Sequence, residues 1–95
     1  MMQPNNTRLT VKQIQILQTI NQHWLTHRQE IDVDQLLDAL PYQTTKQSMQ
    51  FSIRALIKKG VILKCECEVR RGRQRRILKI TDHGKRLLGI RSEVA

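Results

Sequence analysis

Five arginines stand within seven positions of this chain: Arg70, Arg71, Arg73, Arg75 and Arg76. A guanidinium presents its donors in a planar fork that matches phosphate, and it keeps its charge at any physiological pH. Solubility does not require such crowding of one sign, so the cluster is expected to meet a polyanion. Three other groupings are candidates for different chemistry. Cys65 and Cys67, one residue apart, could hold a soft metal or sense redox state as a thiolate pair. A zinc-type site needs three or four ligands, however, and His83 is the only distant third. Regular alternation on a strand puts both sulfurs on one side, and buried thiols are the expectation. His23 and His27 sit one helical turn apart as a two-ligand edge without a third. Asp32, Asp34 and Asp38 are best explained by a helix cap, a favourable helix amino end and a solvated side. The sequence has no glycine-rich phosphate loop, no nucleophile elbow and no carboxylate pair in a pocket. No enzymatic activity, cofactor or metal is expected.

The chain has 95 residues, enough for one domain with a single core. Seventeen Lys and Arg against eight Asp and Glu give a net charge of +9. The charge is uneven: up to Ile53 the two signs cancel, and the whole excess lies in residues 54–95. Rings are scarce, with Trp24, Tyr42 and Phe51 the only ones, so Ile, Leu and Val must build the core. Two neighbouring cysteines are too few for a secreted disulfide framework, and a reducing cytoplasm is the expected setting. Val61-Ile62-Leu63 is the longest apolar run, so no membrane span is expected, and the first residues do not read as a signal peptide.

These side chains need elements to position them. Thr10 and Gln13 form a capping box, and a helix is predicted over 11–27. Its buried stripe reads as Val11, Ile14, Leu17, Asn21, Trp24 and Leu25, with Ile16 and Ile20 beside it and exposed. Glu30-Ile31 is a minimal strand. Asp32, with Gln35 three residues on, caps a second helix over 33–40, which Pro41 stops. Thr44 or Thr45 caps a third, reaching Lys59, whose apolar stripe is Met49, Ile53, Leu56 and Ile57. Gly60 ends it in a left-handed conformation. The period then changes to two: Leu63, Cys65, Cys67 and Val69 alternate with charged residues along a half-buried strand. Arg71-Gly72-Arg73 is a hairpin turn, and the return strand runs to Ile80. Thr81 caps a last short helix, 82–89, anchored by Leu87 and Leu88.

This order predicts an α+β, mainly α fold, a winged helix-turn-helix: a three-helix core, a β-hairpin wing and a short C-terminal helix. Residues 1–9 read as a flexible lead-in, 10–90 as the domain and 91–95 as a loose tail. The chain resembles the MarR-like winged-helix regulators in three stretches. They are Leu9-Thr10 with Gln13, Leu17 and Ile20; Leu56-Ile57-Lys58-Lys59-Gly60-Val61-Ile62; and Arg73 to Gly84, ending Ile80-Thr81-Asp82-His83-Gly84. It departs from that family at Arg71-Gly72-Arg73, where an Asp usually precedes the wing arginine. The resemblance implies a DNA-binding regulator.

In such a fold the third helix turns its outer side to the major groove, where base edges differ. Its candidate contacts are Thr44, Thr45, Lys46, Gln47, Ser48, Gln50, Phe51 and Arg54. Gln47 and Gln50 suit adenine, Ser48 several bases, and Thr44 and Thr45 a backbone phosphate. Phe51 has two readings: packing under the wing or in a subunit contact, or touching thymine methyl groups. Arg70, Arg71, Arg73 and Arg75 are the wing candidates for phosphate or the minor groove, with Arg70 and Arg76 alternatively paired to Glu66, Glu68 or a partner at the edge of the core. About six to eight neutralised phosphates would give a log–log salt slope near −5 to −7. The expected function is sequence-specific duplex DNA binding by a small prokaryotic transcriptional regulator. The competing reading is a winged-helix protein-interaction module or adaptor in a larger nucleoprotein assembly. A homodimer is expected through the Ile16/Ile20/His23 edge or the chain ends.

Overall fold

A computed structural model describes residues 8–89. In chain order the elements are α1 (Val11–His27), β1 (Ile31–Asp32), α2 (Val33–Ala39), α3 (Lys46–Lys58), β2 (Ile62–Arg70), β3 (Arg73–Ile80) and α4 (Asp82–Leu87). The result is an α+β domain of four helices and one antiparallel sheet, with strand order β1-β3-β2.

Local chemistry sets the helix ends. Thr10 and Gln13 exchange side-chain bonds with each other's backbone N–H at 3.1 and 3.0 Å, closing the capping box of α1. Asp32 and Gln35 do the same for α2 at 2.8 and 3.0 Å. Thr45, rather than Thr44, caps α3 by accepting from the Ser48 N–H. Gly60 takes φ +76°, where a side chain would be strained, and lets β2 begin directly after α3. Thr81 caps α4, and its hydroxyl donates to the Gly60 carbonyl at 2.8 Å, so the end of α3 and the start of α4 share one joint. Gly84 lies against that joint; a Cβ there would collide with the Val61 carbonyl and with Ile80.

The core is Ile16, Leu17 and Ile20 of α1, Ile31, Val33, Leu36, Leu40, Met49, Ile53, Leu56, Val61, Ile62, Leu78 and Ile80. This corrects the expected face of α1. Ile16 and Ile20 are buried, whereas Val11 and Leu25 are 72% and 51% exposed. The reason is area and polarity: the predicted stripe placed the Asn21 amide at its centre, whereas two isoleucines one turn apart bury hydrocarbon with no amide to satisfy. Ile16 and Ile20 therefore cannot form the proposed dimer edge, and the chain ends lie outside the described residues. Leu9, assigned to the lead-in, packs on the core. Next to it the Arg8 carbonyl accepts from Lys59 Nζ at 2.6 Å, tying the entry of α1 to the end of α3. The rest of the 1–9 lead-in and the 91–95 tail fall outside the described residues. No helix among the described residues is long and apolar enough to cross a membrane.

β2 also departs from the expected alternation. Lys64 pairs with Leu78 and Cys67 with Arg76, so Cys65 and Glu66 together oppose Ile77 in a β-bulge. Directly opposed residues share a face. Cys67 thus lies on the face of Arg76 and Leu78, and Cys65 on that of Ile77. The two thiols were expected on one buried face; instead Cys65 is half-buried and Cys67 exposed, on opposite sides. Of β2 only Ile62 is buried, because the hairpin runs out past the helices that could cover it.

Candidate nucleic-acid interface

The hairpin turn is built on Arg71 at φ +53° and Gly72 at φ +79°. Both central residues are left-handed, the type I′ geometry whose twist suits a two-residue hairpin. Arginine adopts that backbone only at some cost, and here its Nη2 is fixed 3.1 Å from Asp32 Oδ2. The hairpin consequently has two faces of different character.

One face is clamped shut. Asp32 is fully buried, yet its carboxylate caps α2 and also meets two guanidiniums, Arg71 at 3.1 Å and Arg70 at 3.7 Å. Arg70 further donates to the Glu30 carbonyl at 2.8 Å, to Gln35 at 3.2 Å and to Glu68 at 3.1 Å. Arg75 bonds Asp34 and the Arg70 carbonyl. The side chains of Arg70 and Arg75 are each only 11% exposed. Asp34 also takes Lys46, at 2.9 Å, so one carboxylate links the amino ends of α2 and α3 to β3. Of the four arginines assigned to the wing, Arg70, Arg71 and Arg75 hold the hairpin to α2, and Arg73 at the tip makes no ion pair among the described residues. Lys46, expected at the amino end of α3, is likewise engaged.

The Asp34 carboxyl is held below its ordinary value of 3.8, chiefly by the Lys46 hydrogen bond; partial burial opposes this, and Arg75 adds to it. A carboxyl with a depressed folded value stabilises the fold above its unfolded value. That contribution is lost as pH falls through the folded value. Wild type is therefore expected to melt higher than Asp34→Asn at about pH 5, with the gap closing below about pH 3.8. Thermal melts across that range check it; a constant gap rules it out.

The other face is open. Between α3 and the hairpin lies a cleft of about 170 Å³ lined by Gln50, Arg54, Lys64 and Arg76 over a floor of Val33, Ile53, Ile57 and Leu78. Among the described residues three cations line it and no acid does. Arg76 also donates to the Cys65 carbonyl at 2.7 Å, which fixes its guanidinium. Along the outer side of α3, Gln47, Ser48, Gln50, Phe51, Arg54 and Lys58 are all exposed, and Thr44 and Thr45 stand at its amino end. Phe51 is 71% exposed, so it does not pack under the hairpin.

Sequence reasoning missed Lys64 as a site residue and gave Arg76 to an ion pair. One signal was present. Lys64 stands two residues after Ile62 on a strand, so burial of Ile62 puts a lysine on the inward-facing side at the point where the helices end.

Elsewhere, a wider cleft of about 630 Å³ between α1 and the end of α2 is lined by Gln, Thr and His side chains. Within it the His23 and His27 rings lie 4.5 Å apart. The His23 Nε2 is buried with no hydrogen-bond partner among the described residues. Burial first, then His27 and Arg70, push the pKa of His23 below its ordinary value. Among the described residues no three His, Cys, Asp or Glu side chains gather to hold a metal ion.

Comparison with protein-family models, with curated proteins and with solved structures gives no match for this chain.

Proposed function

We propose that the chain is a winged helix-turn-helix protein that binds duplex DNA, as the MarR-like regulators it resembles do, with α3 in the major groove and the hairpin as its wing. The observation that carries this reading is the acid-free cleft where Arg54 of α3 meets Lys64 and Arg76 of the hairpin. Helix and wing there offer one cationic surface, and the nearby Asp32 and Asp34 are taken up by Arg70, Arg71, Arg75 and Lys46. A phosphate at the mouth of that cleft would have donors from both elements, while the outer side of α3 faces the bases. Gln47, Ser48 and Gln50 are the base-reading candidates. Arg73 at the tip is the wing arginine free to reach a further phosphate.

With Arg70, Arg71 and Arg75 engaged internally, the free cations on this side among the described residues are Arg54, Lys58, Lys64 and Arg76, with Arg73 beyond them at the hairpin tip. The expected salt slope is therefore about −4 to −5, shallower than the charge count alone implies. Fluorescence anisotropy on a random-sequence duplex and on its separated strand, over a salt series, tests the reading. Duplex binding at low salt with that slope supports it; no binding, or equal binding to the single strand, overturns it.

A second reading, a protein-interaction module, is favoured by Val11 and Leu25, which leave apolar surface exposed on α1. The same titration separates the two, because a module of that kind has no reason to prefer a duplex.

A further inference from the structure

Phe51 is the one large apolar side chain on the outer side of α3. It is 71% exposed. Its neighbours along the helix, Gln47 and Ser48 one turn before and Arg54 one turn after, are exposed and polar. Among the described residues the other large exposed apolar ones are Val11 and Leu25 of α1 and Leu63 and Val69 of β2; Val69 shares the Arg76 face but stands next to the hairpin turn. A protein partner is poorly served by this arrangement, because interface cores gather several apolar groups and exclude charge. A ring set among amide and guanidinium donors fits a surface that is itself mostly polar with isolated methyl groups. The major groove is such a surface. Each A·T pair shows the adenine N7 acceptor and N6 donor beside the 5-methyl group of thymine. A glutamine amide satisfies the first two together, and only an apolar side chain gains from the third.

Resting on the duplex-binding reading above, we infer that Phe51 is a specificity-determining residue that packs on a thymine methyl, so that the middle of α3 selects an A·T step. Gln47, one turn before it on the same side, is placed to take an adenine. Gln50, on the flank toward the cleft, is placed to reach a neighbouring pair. Arg54 then follows at the phosphate.

Deoxyuridine pairs as thymidine does and lacks only the methyl, which makes it the probe. The preferred duplex is first selected from a random pool using the full chain. Each thymine in it is then replaced singly by uracil, and affinity is measured for wild type and for Phe51→Ala, with circular dichroism to show that the variant is folded. At one position, uracil should weaken wild type about fourfold, the worth of burying one methyl. Phe51→Ala should bind thymine and uracil duplexes equally at that position. Wild type that binds a preferred duplex but tolerates uracil throughout overturns the inference and leaves duplex binding standing, as does a pool that yields no preferred sequence. Absence of binding to any duplex removes the underlying reading instead. A Phe51→Ala chain that changes from dimer to monomer in sedimentation, with uracil discrimination intact, assigns the ring to a protein contact and also overturns the inference.

Discussion

Replacing Arg54, Lys64 and Arg76 together by alanine is expected to lower duplex affinity about a thousandfold while the domain stays folded. All three side chains line the cleft, and none is held by a carboxylate among the described residues. A charged hydrogen bond is worth about 1.5 kcal/mol at the lower end of its range, so three contacts give about 4 kcal/mol. Each phosphate contact removed also takes about one unit from the salt slope, so the slope should flatten by about three. The matching triple of Arg70, Arg71 and Arg75 is the informative contrast. These side chains are bound to Asp32, Asp34 and backbone carbonyls, so their loss should lower the melting temperature first and change the slope little. Anisotropy over a salt series, with melting curves beside it, reads both variants. An unchanged slope in the first triple, or a flattened slope with an intact melting point in the second, would move the interface to the other face of the hairpin.

Asp32→Ala should destabilise the domain by about 3 kcal/mol. Its carboxylate is fully buried and does three things: it caps α2, pairs with Arg71 and stands near Arg70. Without it the half-exposed Arg71 can be hydrated and Arg70 keeps Glu68 and the Glu30 carbonyl, so the lost charged hydrogen bonds cost about 2 kcal/mol. The lost N-cap costs about 1 kcal/mol more. For a domain of this size the melting temperature should fall by roughly 12–24 °C. Asp32→Asn separates the parts: asparagine caps a helix as well as aspartate does, so this variant should recover about 1 kcal/mol and no more. Denaturant titration of both variants measures it, and a loss below about 1 kcal/mol for Asp32→Ala would mean that the arginines find other partners readily.

The sequence was most legible where structure depends on neighbours a few residues apart. Thr10 with Gln13, Asp32 with Gln35, Thr45 with Ser48, Thr81 with Gly84 and the turn at Arg71-Gly72 all close bonds within three residues or set a local dihedral. The side of α1 that turns inward was harder, because apolar residues occur on two sides of it and the choice depends on what the other helices and the sheet bury. The fate of the arginine cluster was not legible. Asp32 and Asp34 lie about forty positions upstream of Arg71 and Arg75, and only the pairing of β1 with β3 brings them together. Of the four wing candidates only Arg73 is left without an ion pair among the described residues, and the cleft cations Lys64 and Arg76 emerged only with the strand register.

The step opposite Ile77, where two residues of β2 meet one of β3, frees chain length from side-chain facing at one place. Removing Glu66 would let Cys65 alone oppose Ile77 and leave every outer pair as it is. Removing Glu68, from the regular pairing farther out, with the turn held would set Cys67 opposite Arg75 and so turn it to the clamped face. The hairpin can thus be shortened there without being recoded, and what would change is its bend, and with it the angle at which the tip leans over the third helix. Homologues that differ by one residue in this strand would be expected to differ at this step, and to approach a curved ligand at a different pitch.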